Sequence, residues 1–387
     1  MKPVFFPIII GLFLSLYGGI NYYVYKKIII IAPLCRWPTM AGIWILALMP
    51  LLVAFLENAG PVKLAVPLAW AGYIWMGLAF LLFSFSIVLD SCSYLVKAGG
   101  WLSGSQVSQL MAPWRYYSAV AALVLTLAAT AYGFFAARQI HVEWIVIPTS
   151  KLGKTSDSFR IVQISDLHLG LLSEKKRLRG LIEVIESVRP DVVVSTGDLM
   201  DMQQDHLGEF ADLLHELKAR FGKFAVTGNH EAFAGLDDAL AFTQRAGFTM
   251  LSYDGVKVNG TVNIVGVDDP AVSGGIRADS QGERRVLKRY PEQEFTVLLK
   301  HQPVVDVQSL QWFDLQLSGH THGGQIFPFT LLTRLAYPVK TGLSRVGDRS
   351  WLYVSRGTGT WGPPIRFLAP PEVTVIELRS GAVEPAS

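Results

Sequence analysis

Four apolar stretches, Val4–Tyr25, Thr39–Leu56, Leu64–Leu89 and Tyr116–Ala137, run without an interior charge. Each is long enough to cross a bilayer, which takes about 20 residues at the helical rise. They exclude a disordered tail, a coiled coil or one small soluble domain. The first stretch follows a single Lys2, continues apolar past the length of a signal segment and shows no small-x-small cleavage site, so it reads as a retained helix. Tyr22, Tyr23, Trp37, Trp101, Trp114 and Tyr116 fall near the ends of the stretches, as in an interfacial aromatic belt. The expectation is a four-helix transmembrane domain over residues 1–140, in a multi-pass protein of the cell membrane with the lipid bilayer as its partner. Lys26, Lys27, Arg36, Lys97 and Arg115 in the first and third connections outnumber Lys2 and Lys63, which favours an extracytoplasmic C-terminal part. Arg138, Lys151 and Lys154, just after the last stretch, pull the other way. With no ionisable group inside the stretches, a proton relay has no support and an anchor is the simpler reading.

Charge divides the chain at the same place. Residues 1–140 hold eight Lys/Arg and two acids; the remaining 247 hold 26 basic and 29 acidic residues and all eight histidines. The net charge of +3 is therefore a property of the membrane part, and it argues for no nucleic-acid partner. Cys35 and Cys92 form neither a disulfide framework nor a CxxC motif.

Residues 141–157 read as a linker. Beyond it, short β-branched or aromatic runs predict strands at Arg160–Ser165, Val192–Thr196, Phe224–Thr227, Val262–Val267, Phe295–Lys300 and Leu315–Ser318. Helical spacing of leucine and isoleucine predicts helices over Lys175–Val188 and Glu209–Arg220 between the first three strands, which implies a largely parallel sheet. Later strands, through Trp351–Ser355 and Val373–Leu378, look more antiparallel.

Residues just past the strands carry the chemistry. Asp166 and His168 come after the first, Asp198 after the second, Asn229 and His230 after the third, His301 after the fifth, and His320 and His322 after the sixth. Ligands of open α/β sheets bind beyond the carboxyl ends of strands, where distant segments converge. Taken singly, Asp166-x-His168 and Gly197-Asp198 are as well read as ordinary turns. Together the set offers seven oxygen and nitrogen donors plus His230, more than one ion can use. Two ions sharing a carboxylate can, and such pairs generate a bound hydroxide and stabilise displacement at phosphorus. The donor mixture suits Mn, Fe, Zn or Co better than Ca or Mg.

Asp166-x-His168, Gly197-Asp198, Gly228-Asn229-His230-Glu231, His301 and Gly319-His320-Thr321-His322 together resemble the ordered signature of the calcineurin-like metallophosphoesterases, over about residues 158–378. The resemblance implies an α/β metallophosphoesterase domain at 158–380, a four-layer α/β/β/α sandwich with a dinuclear centre. Carried over by position, Asp166, His168, Asp198 and His322 would bind one divalent ion. Asp198 as the bridge, with Asn229, His301 and His320, would bind the other, and His230 would stand near the leaving-group oxygen as general acid or phosphate stabiliser.

Several residues are candidates for supporting roles. Asp201 and Asp269 could orient ligand imidazoles or cap turns. Glu231 could orient His230 or cap the following helix. Arg356 and Arg366 could hold a phosphate. The expected activity is hydrolysis of a phosphoester close to a bilayer. Resemblance to membrane-linked bacterial members, carried by Gly197-Asp198-Leu199-x-Asp201, Gly266-Val267-Asp268-Asp269-Pro270 and Gly357-Thr358-Gly359-Thr360-Trp361-Gly362, suggests UDP-diacylglucosamine of lipid A synthesis as one lipid-linked candidate. The alternative is a membrane receptor or transport accessory that senses metal or phosphate without turnover.

Overall fold

The computed structural model describes residues 5–59, 62–104, 107, 111, 113–152, 157–201, 207–273, 275 and 279–381. Lys154 and the rest of the 153–156 stretch, within the expected linker, lie outside them. The chain divides into two units, one running through Ala136 and taking in Gly362–Phe367, the other comprising 137–361 and the residues from 368 onward.

The first unit is built from α1 (Phe5–Ile31), α2 (Arg36–Ala59), α3 (Val62–Leu102) and α4 (Trp114–Ala136). Three segments among the described residues, Pro33–Glu57, Lys63–Leu102 and Trp114–Ala136, are long and apolar enough to cross a membrane; α1 is helical over the described part of the first predicted stretch, whose Val4 lies outside the described residues. Its core is small, formed by Val24, Ile43, Ala79, Leu82 and Ala122, while leucines and aromatics stay exposed along the helices. Small residues let the helices approach: a Cβ on Gly72 of α3 would come within 2.8 Å of Met49 Cβ in α2.

At 41 residues α3 is about 60 Å long by the 1.5 Å rise and outruns its apolar stretch. No proline or glycine stops it at Leu89, and the charge just beyond is satisfied. Asp90 accepts from Lys27 Nζ and Tyr23 Oη of α1, each at 2.5 Å. Lys27, expected in a connection, is thus a helical residue with a partner.

The second unit holds two six-stranded sheets. The first runs in the order β1 (His141–Thr149), β12 (Glu372–Ser380), β2 (Ser158–Ile164), β3 (Val192–Ser195), β4 (Lys223–Ala225), β5 (Thr249–Met250). The second runs β10 (Gly342–Arg345), β11 (Trp351–Val354), β9 (Leu315–Ser318), β8 (Phe295–Leu299), β7 (Val262–Gly266), β6 (Asp254–Val258). The strands β2, β3 and β4 are parallel, as predicted, and β5, for which no run was read, continues them in parallel, but the later ones are less antiparallel than their sequence suggests. β11, β9, β8 and β7 are mutually parallel, and only β6, β10 and β12 run against a neighbour. Part of the expected linker is also a strand: β1 pairs in parallel with β12 from His141↔Glu372 to Thr149↔Ser380.

Strands buried on both faces read as continuous apolar runs, and the cores show why. Phe159, Ile161, Val192 and Val194 join Ile264, Val297, Leu299, Leu315 and Leu317 of the other sheet in one core. The alternate residues Val162, Ile164 and Val193 pack against Leu178, Leu181 and Ile185 of α5 (Lys175–Ser187) and Leu213 and Leu214 of α6 (Gly208–Glu216). Phe242 of α8 (Leu236–Arg245) completes that core; between it and β4 lies the short α7 (Asn229–Ala234). On the second sheet, Val265 and Leu298 meet Val286 and Leu287 of α9 (Ser280–Leu287).

Candidate metal centre

Every predicted ligand lies where a strand ends, and the backbone there is unusual. Asp166, His168, Asp198, His320 and His322 have φ of 51°, 48°, 54°, 69° and 51°. A non-glycine residue in this left-handed region costs on the order of 1–2 kcal/mol, so the surrounding structure must hold each in place. It does so by hydrogen bonds between the strand-end loops. The Asp166 N–H donates to Gly197 O, His168 N–H to Asp198 O, and Gly319 N–H to His301 O, all at 2.9–3.0 Å. Glu231 ties two loops at once, accepting from the N–H groups of Asp198 (3.0 Å), Leu199 (2.7 Å) and Gly228 (2.7 Å). Glycine is required twice by close approach: a Cβ on Gly228 would overlap Asp198 Oδ1, and one on Gly319 would overlap Ser165 Oγ.

The side chains then converge. Three groups, Asp166–His168–His322, His168–Asp198–His230 and Asp198–His301–His320, each bring three donor atoms within 4.8 Å of one another. His168 Nε2 lies 2.9 Å from His322 Nε2. His301 Nε2 faces Asn229 Oδ1 at 3.1 Å, Asp198 Oδ2 at 3.2 Å and His320 Nδ1 at 3.1 Å. Meanwhile the outer ring nitrogens are taken: His168 Nδ1 by Asp201, His301 Nδ1 by Thr196 O at 2.7 Å, and His320 Nε2 by the Tyr337 hydroxyl at 2.9 Å. A ring nitrogen that donates outward presents a lone pair on its other side. Imidazole nitrogens, carboxylate and amide oxygen facing one another at about 3 Å need positive charge among them, from protons or from a cation, so this donor set fits divalent metal.

Electrostatics agree. Burial would lift the Asp198 carboxyl, but His301, His168 and His230 hold it well below the usual range. Asp166 is pushed up by burial, with the Asp198 charge adding to it. Burial and the charge of His301 bring His320 down to about 3, leaving it a neutral imidazole. Against the effect of burial, Asp201 and Asp198 raise His168 to about 9.

The supporting candidates sort themselves by contact. Asp201 Oδ1 meets both His168 Nδ1 and His230 Nδ1, the latter at 2.9 Å, which matches the orienting role. Asp269 instead accepts from Ala271 N–H and Gln302 Nε2, the turn-capping alternative. Glu231 does not touch His230 in the manner expected of an orienter; its oxygens are given to backbone. Arg356 corrects an expectation: its guanidinium is held by Glu143 of β1, Glu372 and Pro370 O, so it ties β1 and β12 together rather than facing a phosphate. Arg366 is fully buried in the 362–367 segment, its N–H donating to Gly133 O, and presents no face to a substrate.

Three residues at the site escaped sequence reading. Tyr337 closes on His320, and the exposed rings of Phe233 and Trp361 flank His230, with centroids 5.7 and 6.0 Å from it. Trp361 is fixed by reciprocal bonds with Gln325, 2.8 and 2.9 Å. The Gly-Thr-Trp-Gly run was the one signal for Trp361; nothing in sequence marks the other two.

Two sheets with buried imidazoles, carboxylates and an asparagine at their strand ends define a hydrolytic metalloprotein. Residues 159–324 match the calcineurin-like phosphoesterase family. The chain is 37% identical over 254 residues to an uncharacterized metallophosphoesterase of Aquifex aeolicus, covering 64% of this chain and 95% of that one. It is 32% identical to a transmembrane protein with metallophosphoesterase domain of Danio rerio, over 79% of this chain and 71% of the relative. Among solved structures, a 5'-nucleotidase precursor from Thermus thermophilus aligns over 58% of this chain and 54% of its own, at 14% identity and a TM-score of 0.36, a likeness too distant to build on. The chain belongs to the calcineurin-like metallophosphoesterases, hydrolases of phosphoester bonds.

Proposed function

We propose that this is a membrane-anchored, dinuclear phosphoester hydrolase on a four-layer α/β/β/α domain. Asp166, His168, Asp198 and His322 would hold one divalent ion, and Asp198, Asn229, His301 and His320 the other. Bound there, the ions supply Lewis-acid activation of water and neutralise charge developing at phosphorus. The observation that carries this reading is the convergence of one ring nitrogen each of His168, His301 and His320 on the donor cluster, with the other ring nitrogen held by an outward partner.

The chain's own residues do the rest. Asp198 lies between the two groups of donors, and its Oδ1 accepts from the His230 N–H at 2.9 Å, which locks the proton donor to the bridging carboxylate. With Nδ1 on Asp201, His230 has Nε2 left to give a proton to the departing oxygen. Phe233 and Trp361 make the surroundings of that departing group apolar. This favours a lipid-linked phosphodiester or pyrophosphate, as do the four apolar helices read as spans. Of the two finer readings, the Lys/Arg count of the connections puts the catalytic domain on the extracytoplasmic side, whereas UDP-diacylglucosamine as substrate requires it to face the cytoplasm.

The purified full chain should cleave an aryl phosphoester with Mn, lose that activity to a chelator, and lose nearly all of it in Asp198→Ala. Cleavage that survives both would overturn the assignment. Turnover of a lipid phosphoester in mixed micelles, set against a water-soluble analogue, tests the substrate class.

A further inference from the structure

The helix α10 (Phe329–Ala336) is turned inside out relative to a helix of a soluble domain. It comes directly after the His320–Gly324 loop and is anchored to it by hydroxyls: Thr330 Oγ1 donates to Gly323 O at 2.9 Å, Thr333 Oγ1 to Thr330 O, and Tyr337, just past its end, reaches His320. Thr330 and Thr333 are the half-buried side; Leu331, Leu332 and Leu335 are 54%, 53% and 81% exposed, with Phe327 ahead of them also exposed, and no residue of the helix is buried. Soluble surfaces carry isolated apolar residues but not a helix whose leucines all face out while its threonines face in. Charge identifies what covers it. From Gln325 through Gly347 there is no acid, while Arg334, Lys340 and Arg345 give the segment three positive charges in a domain that is otherwise mildly acidic.

We propose that α10 lies in the headgroup region of an anionic bilayer, its leucines in the acyl boundary and its cations on lipid phosphates. The proposal rests on the reading that this chain is a membrane protein: only four residues separate α4 from β1, and n residues span at most about 3.6 Å each, so the strand that starts the second unit begins close to the end of an apolar helix. It goes beyond that reading by assigning a contact to the catalytic domain itself. Because α10 leads into Tyr337 and is bonded to the loop that follows His320 and His322, lipid contact there would hold the proposed metal-binding loop at the surface from which a lipid-linked substrate comes.

The test uses the full chain in phosphatidylcholine–phosphatidylglycerol vesicles containing lipids with a shallow spin-label quencher. Single-cysteine variants (Cys35→Ser and Cys92→Ser background) carry an environment-sensitive fluorophore at Leu335→Cys, at Leu127→Cys in α4, or at Lys218→Cys as a surface reference. The label at 335 should lose roughly half or more of its emission, as a helix about 5–10 Å into the interface would, with the label at 218 unaffected. Arg334→Glu with Lys340→Glu should reduce quenching at 335 while hydrolysis of a soluble aryl phosphoester is unchanged. Quenching at 127 but none at 335 overturns this proposal alone, as does a 335 label shielded equally without quencher lipid, which would mean a second copy covers the helix. No quenching at 127 overturns the membrane reading and the proposal with it.

Discussion

Asp201 gives a single oxygen to two imidazoles, His168 and His230, and burial does not keep its carboxyl from ionising: the two histidines hold it down to about 2. It therefore couples a proposed metal ligand to the proposed proton donor. Asp201→Asn should cost about 10–100-fold in metal affinity, the usual penalty for losing such an orienting partner, measured by metal titration. In His230→Gln metal affinity should persist, and turnover should fall further for an alkyl phosphoester, whose leaving oxygen needs a proton, than for an aryl one; equal losses on both would argue against a proton donor. The convergence of the candidate donors was legible in the sequence because they are side chains of fixed chemistry placed at strand ends. Arg356 was misread for the complementary reason. A charge in a Gly/Pro-rich loop looks available until its partners are known, and Glu143 is 213 positions away.

At the scale of elements, local periodicity found the parallel strands β2, β3 and β4 and the helices α5 and α6 to within a few residues, since both faces of these strands and one face of these helices are buried. It missed β1, whose exposure alternates only loosely and whose pairing with β12 is the most distant in sequence. It also stopped α3 at Asp90, because a carboxylate without its Lys27 and Tyr23 reads as the end of a span. A lysine inside a strand-end network offers a test of element packing. Lys223 of β4 donates to Leu214 O and Ala246 O, joining the sheet to the ends of α6 and α8, and burial lowers its ammonium to about 8. Between that value and the ordinary 10.5 the unfolded chain binds more protons than the folded one, so stability should rise with pH across this window. The stability of the parent relative to Lys223→Met, followed by denaturant unfolding from pH 7 to 10.5, should increase as pH rises; a flat difference would mean the amine keeps its ordinary affinity for protons.

For the whole molecule, charge divides the sequence near residue 140, contacts divide the chain after Ala136, and all eight histidines lie beyond both divisions. The fate of residues 362–367 was not legible, since a Gly-Pro-Pro run in a C-terminal loop reads as surface. Those six residues count with the helices: Ile365 is fully buried, Phe367 packs edge-on against Phe85 and Tyr132, and Arg366 bonds to Gly133. Burying a side chain such as Ile365 is worth about 1.5–3 kcal/mol. The sheet domain is thus stitched rather than hung, because the chain leaves the helices once after Ala136 and then returns to them. A protease site placed between Arg138 and His141 and cut in detergent should leave the two fragments eluting together on size exclusion, and their separation would show that the seam does not hold. Severing the obvious tether of such a protein would not set its catalytic half free.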